Sequence, residues 1–97
     1  MRTVRWNKLG RLDYYQNISY LLQNWSEKEA QNFIDKVIEI ETMLAKGNVD
    51  FQNTDREGIK RCVINKQISL FYRVHSEKHV ELLRFWNNNE NLKNLNL

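Results

Sequence analysis

The chain has 97 residues, 41% of them apolar and 28% charged, with no proline and three glycines; that is enough for one globular domain and unlike a disordered or linker-rich protein. Cys62 is the only cysteine, so no internal disulfide forms, and one thiol with two separated histidines is no basis for a zinc site; no metal or other cofactor is expected. Net charge is +3, but it is segregated: residues 26–57 carry four basic and eight acidic groups, whereas residues 58–84 carry six basic and two acidic groups, a distribution that suits an anionic partner as well as a solvated basic face.

Thr3 to Asn7 alternates and carries β-formers, which predicts a short first strand. Leu9, Leu12, Tyr15, Ile18, Leu22 and Trp25 then recur every three or four residues, with Tyr14 and Leu21 widening the stripe, and predict an amphipathic helix with that stripe facing the core. Ser26-Glu27-Lys28-Glu29 fits a capping box at the start of a second helix. Its apolar face is Ala30, Phe33, Ile34, Val37, Ile40 and Leu44, and Lys46-Gly47 supplies the stop. The aromatics Tyr14, Tyr15, Tyr20, Trp25 and Phe33 lie at helical spacing, and most are expected in the core.

Residues 48–57 are polar and predict a loop anchored by Phe51. Three strands follow, over Ile59–Ile64, Ile68–Val74 and His79–Trp86, with connections short enough for an antiparallel meander. In the last strand Val80, Leu82, Arg84 and Trp86 are expected on one face by simple alternation. Trp86 then either sits beside Arg84 on an open face or closes the core edge against the tail. Residues 88–97 either fray or dock through Leu92, Leu95 and Leu97.

The predicted class is α+β in the order β-α-α-β-β-β: a helical hairpin covering one face of a small, mostly antiparallel sheet within a single domain spanning 1–97. The opposite sheet face is expected to be open and basic, hence the working surface. No apolar run approaches the ~20 residues of a membrane helix. The N-terminus MRTVRWNKLGR lacks the long apolar run of a secretory signal, so no membrane association and a cytoplasmic location are expected.

Four segments carry a resemblance. They are Asn17-Ile18-Ser19-Tyr20-Leu21 leading to Trp25-Ser26; the long second helix; Gly58-Ile59-Lys60-Arg61-Cys62-Val63 followed by Ser69-Leu70-Phe71-Tyr72-Arg73-Val74; and Val80-Glu81-Leu82-Leu83-Arg84-Phe85-Trp86-Asn87. Together, over about residues 3–92, the sequence resembles the RelE/ParE superfamily of bacterial toxins.

The resemblance implies a growth-inhibiting, plasmid-stabilising toxin neutralised by a co-encoded antitoxin. Such toxins divide mainly into ribosome-dependent mRNA endonucleases and proteins that poison DNA gyrase. Ungapped matching puts the first nuclease lysine on Lys60, the second on Cys62 and the middle-strand arginine on Ser69. The His/Arg-rich motif after the last strand falls on Asn87-Asn88-Asn89-Glu90, and no tyrosine follows Tyr72. Asparagine and serine cannot serve as an acid–base pair at neutral pH. The reading is therefore closer to the ParE-like or an uncharacterised branch, with the mRNA endonuclease and a non-toxic antitoxin-binding orphan as alternatives.

A shift of one residue would hand a phosphate-binding role to Arg61, which stays protonated and makes a poor base. Lys60 and Arg61 are the weak catalytic candidates. Lys60, Arg61, Arg73, Arg84, Trp86 and Asn87 are the candidates for binding the target or antitoxin. His75 and His79 flank a turn and are expected to be solvated. Cys62, inside a strand, is expected to pack.

Overall fold

A computed structural model describes residues 1–47, 49–95 and 97, so Asn48 of the predicted loop and Asn96 of the predicted tail lie outside the described residues. Strand β1 (Thr3–Trp6) leads to helices α1 (Lys8–Asn24) and α2 (Glu27–Lys46). Strands β2 (Gln52–Asn53), β3 (Ile59–Val63), β4 (Ile68–Ser76) and β5 (His79–Asn87) follow, then one 3-10 turn at Leu92–Asn94. The sheet order is β1-β5-β4-β3-β2. Only β1 and β5 run parallel; the other neighbours are antiparallel. The class and element order match the sequence reading, with β2 added inside the predicted loop. No described helix is long and apolar enough to cross a membrane.

Helix α2 forms where local rules place it. The Ser26 hydroxyl accepts from the Glu29 amide at 3.1 Å, Glu27 and Glu29 lie at the positive end, and Gly47 closes the helix in the left-handed conformation at φ +75°. Ala30, Phe33, Val37, Ile40 and Leu44 are buried as expected, with Ile34 half-buried. They pack on Cys62, Ile64, Ile68, Leu70, Tyr72, Val80, Leu82 and Phe85, the face of the sheet turned toward the helices. Phe51 anchors its loop against that core, edge-on to Tyr72 at 6.2 Å.

Helix α1 departs from expectation in part: of the predicted stripe, Tyr14, Ile18 and Leu21 turn to the core and the rest does not. Its buried residues are Gly10, Asp13 and Leu21, with Tyr14, Asn17 and Ile18 half-buried. Leu9, Leu12, Tyr15, Leu22 and Trp25 are exposed, as is Tyr20. The reason lies in β5. Strand β1 pairs only with His79–Leu82, so the second half of β5 has no strand on that side. Helix α1 seals this edge with polar groups: Asp13 Oδ2 accepts from the Phe85 amide at 3.1 Å, and Asn17 Nδ2 donates to the Phe85 carbonyl at 3.2 Å. Gly10 permits the approach, since a Cβ there would stand 2.9 Å from the Leu83 carbonyl oxygen and 3.0 Å from that of Leu82. Unpaired buried backbone groups cost more than an exposed leucine, so the polar stripe turns inward.

The alternation expected along β5 also fails. The pairing shifts between Phe71↔Arg84 and Tyr72↔Leu82, with Leu83 as the extra residue of a bulge. Val80 and Leu82 therefore face the helices, whereas Trp86, paired with Ser69, faces the reverse side.

Candidate functional site on the reverse face of the sheet

The connection from β3 to β4 sets the geometry of the reverse face. Asn65 Oδ1 accepts from the amides of Gln67 and Ile68, both at 2.8 Å, and so tightens the turn. This fixes Val63 opposite Ser69 and Arg61 opposite Phe71. Arg61 and Ser69 then stand diagonally on one face. Arg61 Nε donates to Ser69 Oγ at 3.1 Å, and its Nη2 donates to Asn88 Oδ1 at 3.1 Å. Ser69 Oγ donates to the same Asn88 oxygen at 2.6 Å. Asn88 Nδ2 donates to the Lys66 carbonyl at 3.2 Å, which ties the start of the tail to the turn. The Arg61 guanidinium lies 5.6 Å from the Phe71 ring centroid.

Beside this cluster is a cleft of about 330 Å³ lined by Arg56, Arg61, Phe71, Asn53 and Leu95. Among the described residues no carboxylate comes within ion-pair distance of Arg61 or Arg73. Arg73 stands in the next row, between Ile59 on β3 and Glu81 on β5. The Arg61 guanidinium is thus met by neutral groups, an arrangement that favours an anionic ligand, whereas Arg73 stands across from the Glu81 carboxylate and Asp55 lines the cleft beside Arg61.

The six sequence candidates do not form one patch. Lys60 pairs across to Tyr72, on the helix side, and its Nζ meets Asp50 Oδ1 at 2.7 Å. Arg84 is engaged by Asp13, its Nε donating to Oδ2 at 2.6 Å and its Nη2 to Oδ1 at 3.1 Å, and this hydrogen bonding raises its already high pKa. Asn87 shapes the exit from β5, its Oδ1 accepting from the Asn89 amide at 2.9 Å. Trp86 is 7% exposed and packs with Ile59, Phe71, Leu83 and Leu95, Leu97 joining at the margin. It closes against the docked tail, and the reverse face is not fully open: an apolar plug divides it. Leu92 is exposed and takes no part in this plug.

At the other end of the face, His75 Nε2 and Glu81 Oε1 are 2.8 Å apart, and Asn7 Nδ2 donates to Glu81 Oε2 at 3.1 Å. The bond with His75, then that with Asn7, holds the Glu81 carboxyl below its ordinary value. His79 lies nearby, its ring 6.0 Å from that of His75. No group of three or more metal-ligating side chains occurs among the described residues. Cys62 is buried on the helix side, where burial pushes its thiol up to about 11. Ser69 and Asn88 were legible in sequence only as places where nuclease residues are missing. Their role as partners of Arg61 depends on the register set by Asn65.

Neither a protein-family model nor a curated protein matches the sequence. Solved structures do match. The chromosomal ParDE toxin–antitoxin system from P. aeruginosa superposes with a TM-score of 0.72 at 14% identity, over 90% of this chain and 96% of that one. The fold is that of the RelE/ParE toxins.

Two further structures place the same fold across the group. The E. coli DinJ-YafQ complex superposes at TM-score 0.61 and 10% identity, over 90% of this chain and 93% of that one. The YoeB dimer from Staphylococcus aureus does so at 0.61 and 15%, over 88% and 94%. Lys60 and Cys62, where the sequence resemblance would put two nuclease lysines, both lie on the helix side of β3. Arg61 is the cation that β3 presents to the reverse face.

Proposed function

We propose that this chain is the toxin of a type II toxin–antitoxin system, that it stops growth by binding an essential target such as DNA gyrase, and that a co-encoded antitoxin silences it. The observation that carries this reading is the Arg61–Ser69–Asn88 cluster on a RelE/ParE fold. It offers a guanidinium fixed over a buried ring, but the groups around it do not titrate near neutral pH. Such a site binds anions well and moves protons poorly. Induction should arrest growth, and the purified chain should inhibit gyrase supercoiling, with Arg61→Ala and Arg73→Ala weakening inhibition. Normal supercoiling at large toxin excess removes gyrase as the target.

The cleft between Arg56 and Arg61 favours a second reading, a ribosome-dependent mRNA endonuclease in which these arginines hold the RNA backbone. New mRNA ends after induction, mapped by primer extension, would select it. A chain that binds antitoxin tightly without arresting growth would instead be a non-toxic orphan. Under each reading the antitoxin is an acidic segment that orders on binding and covers Arg61 and Arg73. Unchanged antitoxin affinity in Arg61→Glu/Arg73→Glu would remove that interface.

A further inference from the structure

The far end of the reverse face holds a second group of cations. A cavity of about 410 Å³ lies there, lined by Arg5, Asn7, Lys8, His75, His79 and Glu81, within the roughly 300–1,000 Å³ of small-ligand sites. Three elements build it. Parallel pairing of β1 with β5 sets Arg5 level with Glu81, and Thr3 level with His79. Asn7 caps α1, its Oδ1 accepting from the Leu9 amide at 2.9 Å, and so fixes where Lys8 leaves the chain. The β4–β5 hairpin sets His75 beside His79, their ring centroids 6.0 Å apart.

Hydrogen-bond partners are unevenly distributed around this cavity. Glu81 is the only acid among the described residues that line it, and both its oxygens are taken, Oε1 by His75 at 2.8 Å and Oε2 by Asn7 at 3.1 Å. Arg5 and Lys8 are exposed, and among the described residues the side chain of neither has an ion pair or a hydrogen bond. His79 is half-buried, and its ring nitrogens likewise meet no hydrogen-bond partner there. Two cations against one carboxylate leave the cavity positive, and Arg73, across from Glu81 on β4, adds to that potential. Helix α1 shows the same bias. It has no acid in its first turn, where α2 has Glu27 and Glu29, and it begins instead with Lys8. A cation in that position works against the helix, a local cost that a bound anion removes.

We propose that the cavity between Arg5, Lys8 and His79 binds a dianionic phosphate group, carried by a small phosphate ester or by the phosphorylated end of a nucleic-acid strand. Arg5 offers a forked set of N–H donors, Lys8 a point charge on a flexible stem, and His79 a ring donor. A phosphodiester, with one charge and two of its oxygens esterified, uses such a set less fully. The site is separate from the Arg61 cluster, since the plug of Ile59, Phe71, Leu83, Trp86 and Leu95 divides the face between them. Phosphate binding is read without growth, gyrase or mRNA. Its failure leaves the toxin reading standing, and failure of the toxin reading leaves phosphate binding standing.

Inorganic phosphate titrated into the ¹⁵N-labelled full chain at low ionic strength should give saturable NMR shifts at residues 5–8 and 79–81 and at the ring protons of His75 and His79. Arg5→Ala and Lys8→Ala, both at exposed positions, should keep the parent's spectrum elsewhere and each weaken binding about tenfold, the loss of one charge-assisted contact. Adenosine 5′-monophosphate and a 5′-phosphorylated single-stranded oligonucleotide separate the two sources, the tighter ligand naming the carrier. The same oligonucleotide without its 5′-phosphate should leave these residues unshifted. Shifts confined to Arg56, Arg61 and Ser69 would overturn the site, as would shifts that never saturate. Equal shifts from the unphosphorylated oligonucleotide, or an Arg5→Ala/Lys8→Ala chain that binds phosphate as the parent does, would overturn it as well.

Discussion

Asp13 on α1 and Arg84 on β5 are 71 residues apart in the chain and share two hydrogen bonds, at 2.6 and 3.1 Å. The same carboxylate accepts from the Phe85 amide, so one side chain holds a largely buried cation and seals a strand edge. Replacing Asp13 by alanine takes an acceptor from both groups. We expect a loss of about 3–5 kcal/mol in urea denaturation, the cost of removing one member of a largely buried pair. The double replacement Asp13→Leu/Arg84→Leu should recover much of it. A single-site loss below about 1 kcal/mol would show that water satisfies the edge instead.

Gly10→Ala should destabilise the protein although alanine is the better helix former. The helix gains about 1 kcal/mol. The new Cβ, however, meets two backbone carbonyls at 2.9 and 3.0 Å, which cannot rotate away, and overpacking of this kind costs about 1–3 kcal/mol. Thermal unfolding should shift down by several degrees. An upward shift would mean that α1 lifts off β5 at little cost.

Glu81 contributes to acid sensitivity. Its carboxyl is held below the ordinary glutamate value by His75 and Asn7, so its stabilising contribution is complete above that ordinary value and disappears as pH falls through the depressed one. Stability measured from about pH 6 to about pH 2 should fall less steeply in Glu81→Gln than in the parent. Parallel acid limbs would assign the sensitivity to other carboxylates.

Cys62 should resist alkylation in the folded protein. Its thiol is buried and pushed up to about 11, so little thiolate exists at mildly alkaline pH. Iodoacetamide should label it only as fast as the chain opens, and labelling should accelerate sharply in urea. Rapid labelling under native conditions would mean that the α2–sheet core admits reagent.

Leu95 tests the plug on the reverse face. It is buried against Ile59, Phe71, Leu83 and Trp86. Leu95→Ala should cost about 2 kcal/mol or more and raise acrylamide quenching of Trp86 in a Trp6→Phe/Trp25→Phe background. Unchanged quenching would show that the tail leaves Trp86 covered without Leu95.

Sequence reading found the helices and the meander because their signals are local. The Ser26 cap, the Gly47 stop and the period of Ala30–Leu44 need only neighbouring residues to act. It placed Tyr14, Ile18 and Leu21 of α1 correctly toward the core but misjudged the rest, because that helix carries two stripes, one apolar and one built on Gly10, Asp13 and Asn17. Periodicity weighs the first, whereas the unfinished edge of β5 requires the second. The site shows the same division. Arg61 was visible as a cation, but its partners Ser69 and Asn88 appeared only as absences.

What the residue order determined unaided is therefore the set of elements, their chain order and the α+β class, since capping, turn chemistry and hydrophobic period act within a few residues. Tertiary structure alone decided which stripe of α1 turns inward, that Lys60 and Arg61 look to opposite sides of β3, that the Leu83 bulge parts Trp86 from Leu82, and that Leu95 covers Trp86. Each of these depends on strand register or on satisfying a backbone group far along the chain, and a one-residue slip reverses every side chain that follows it.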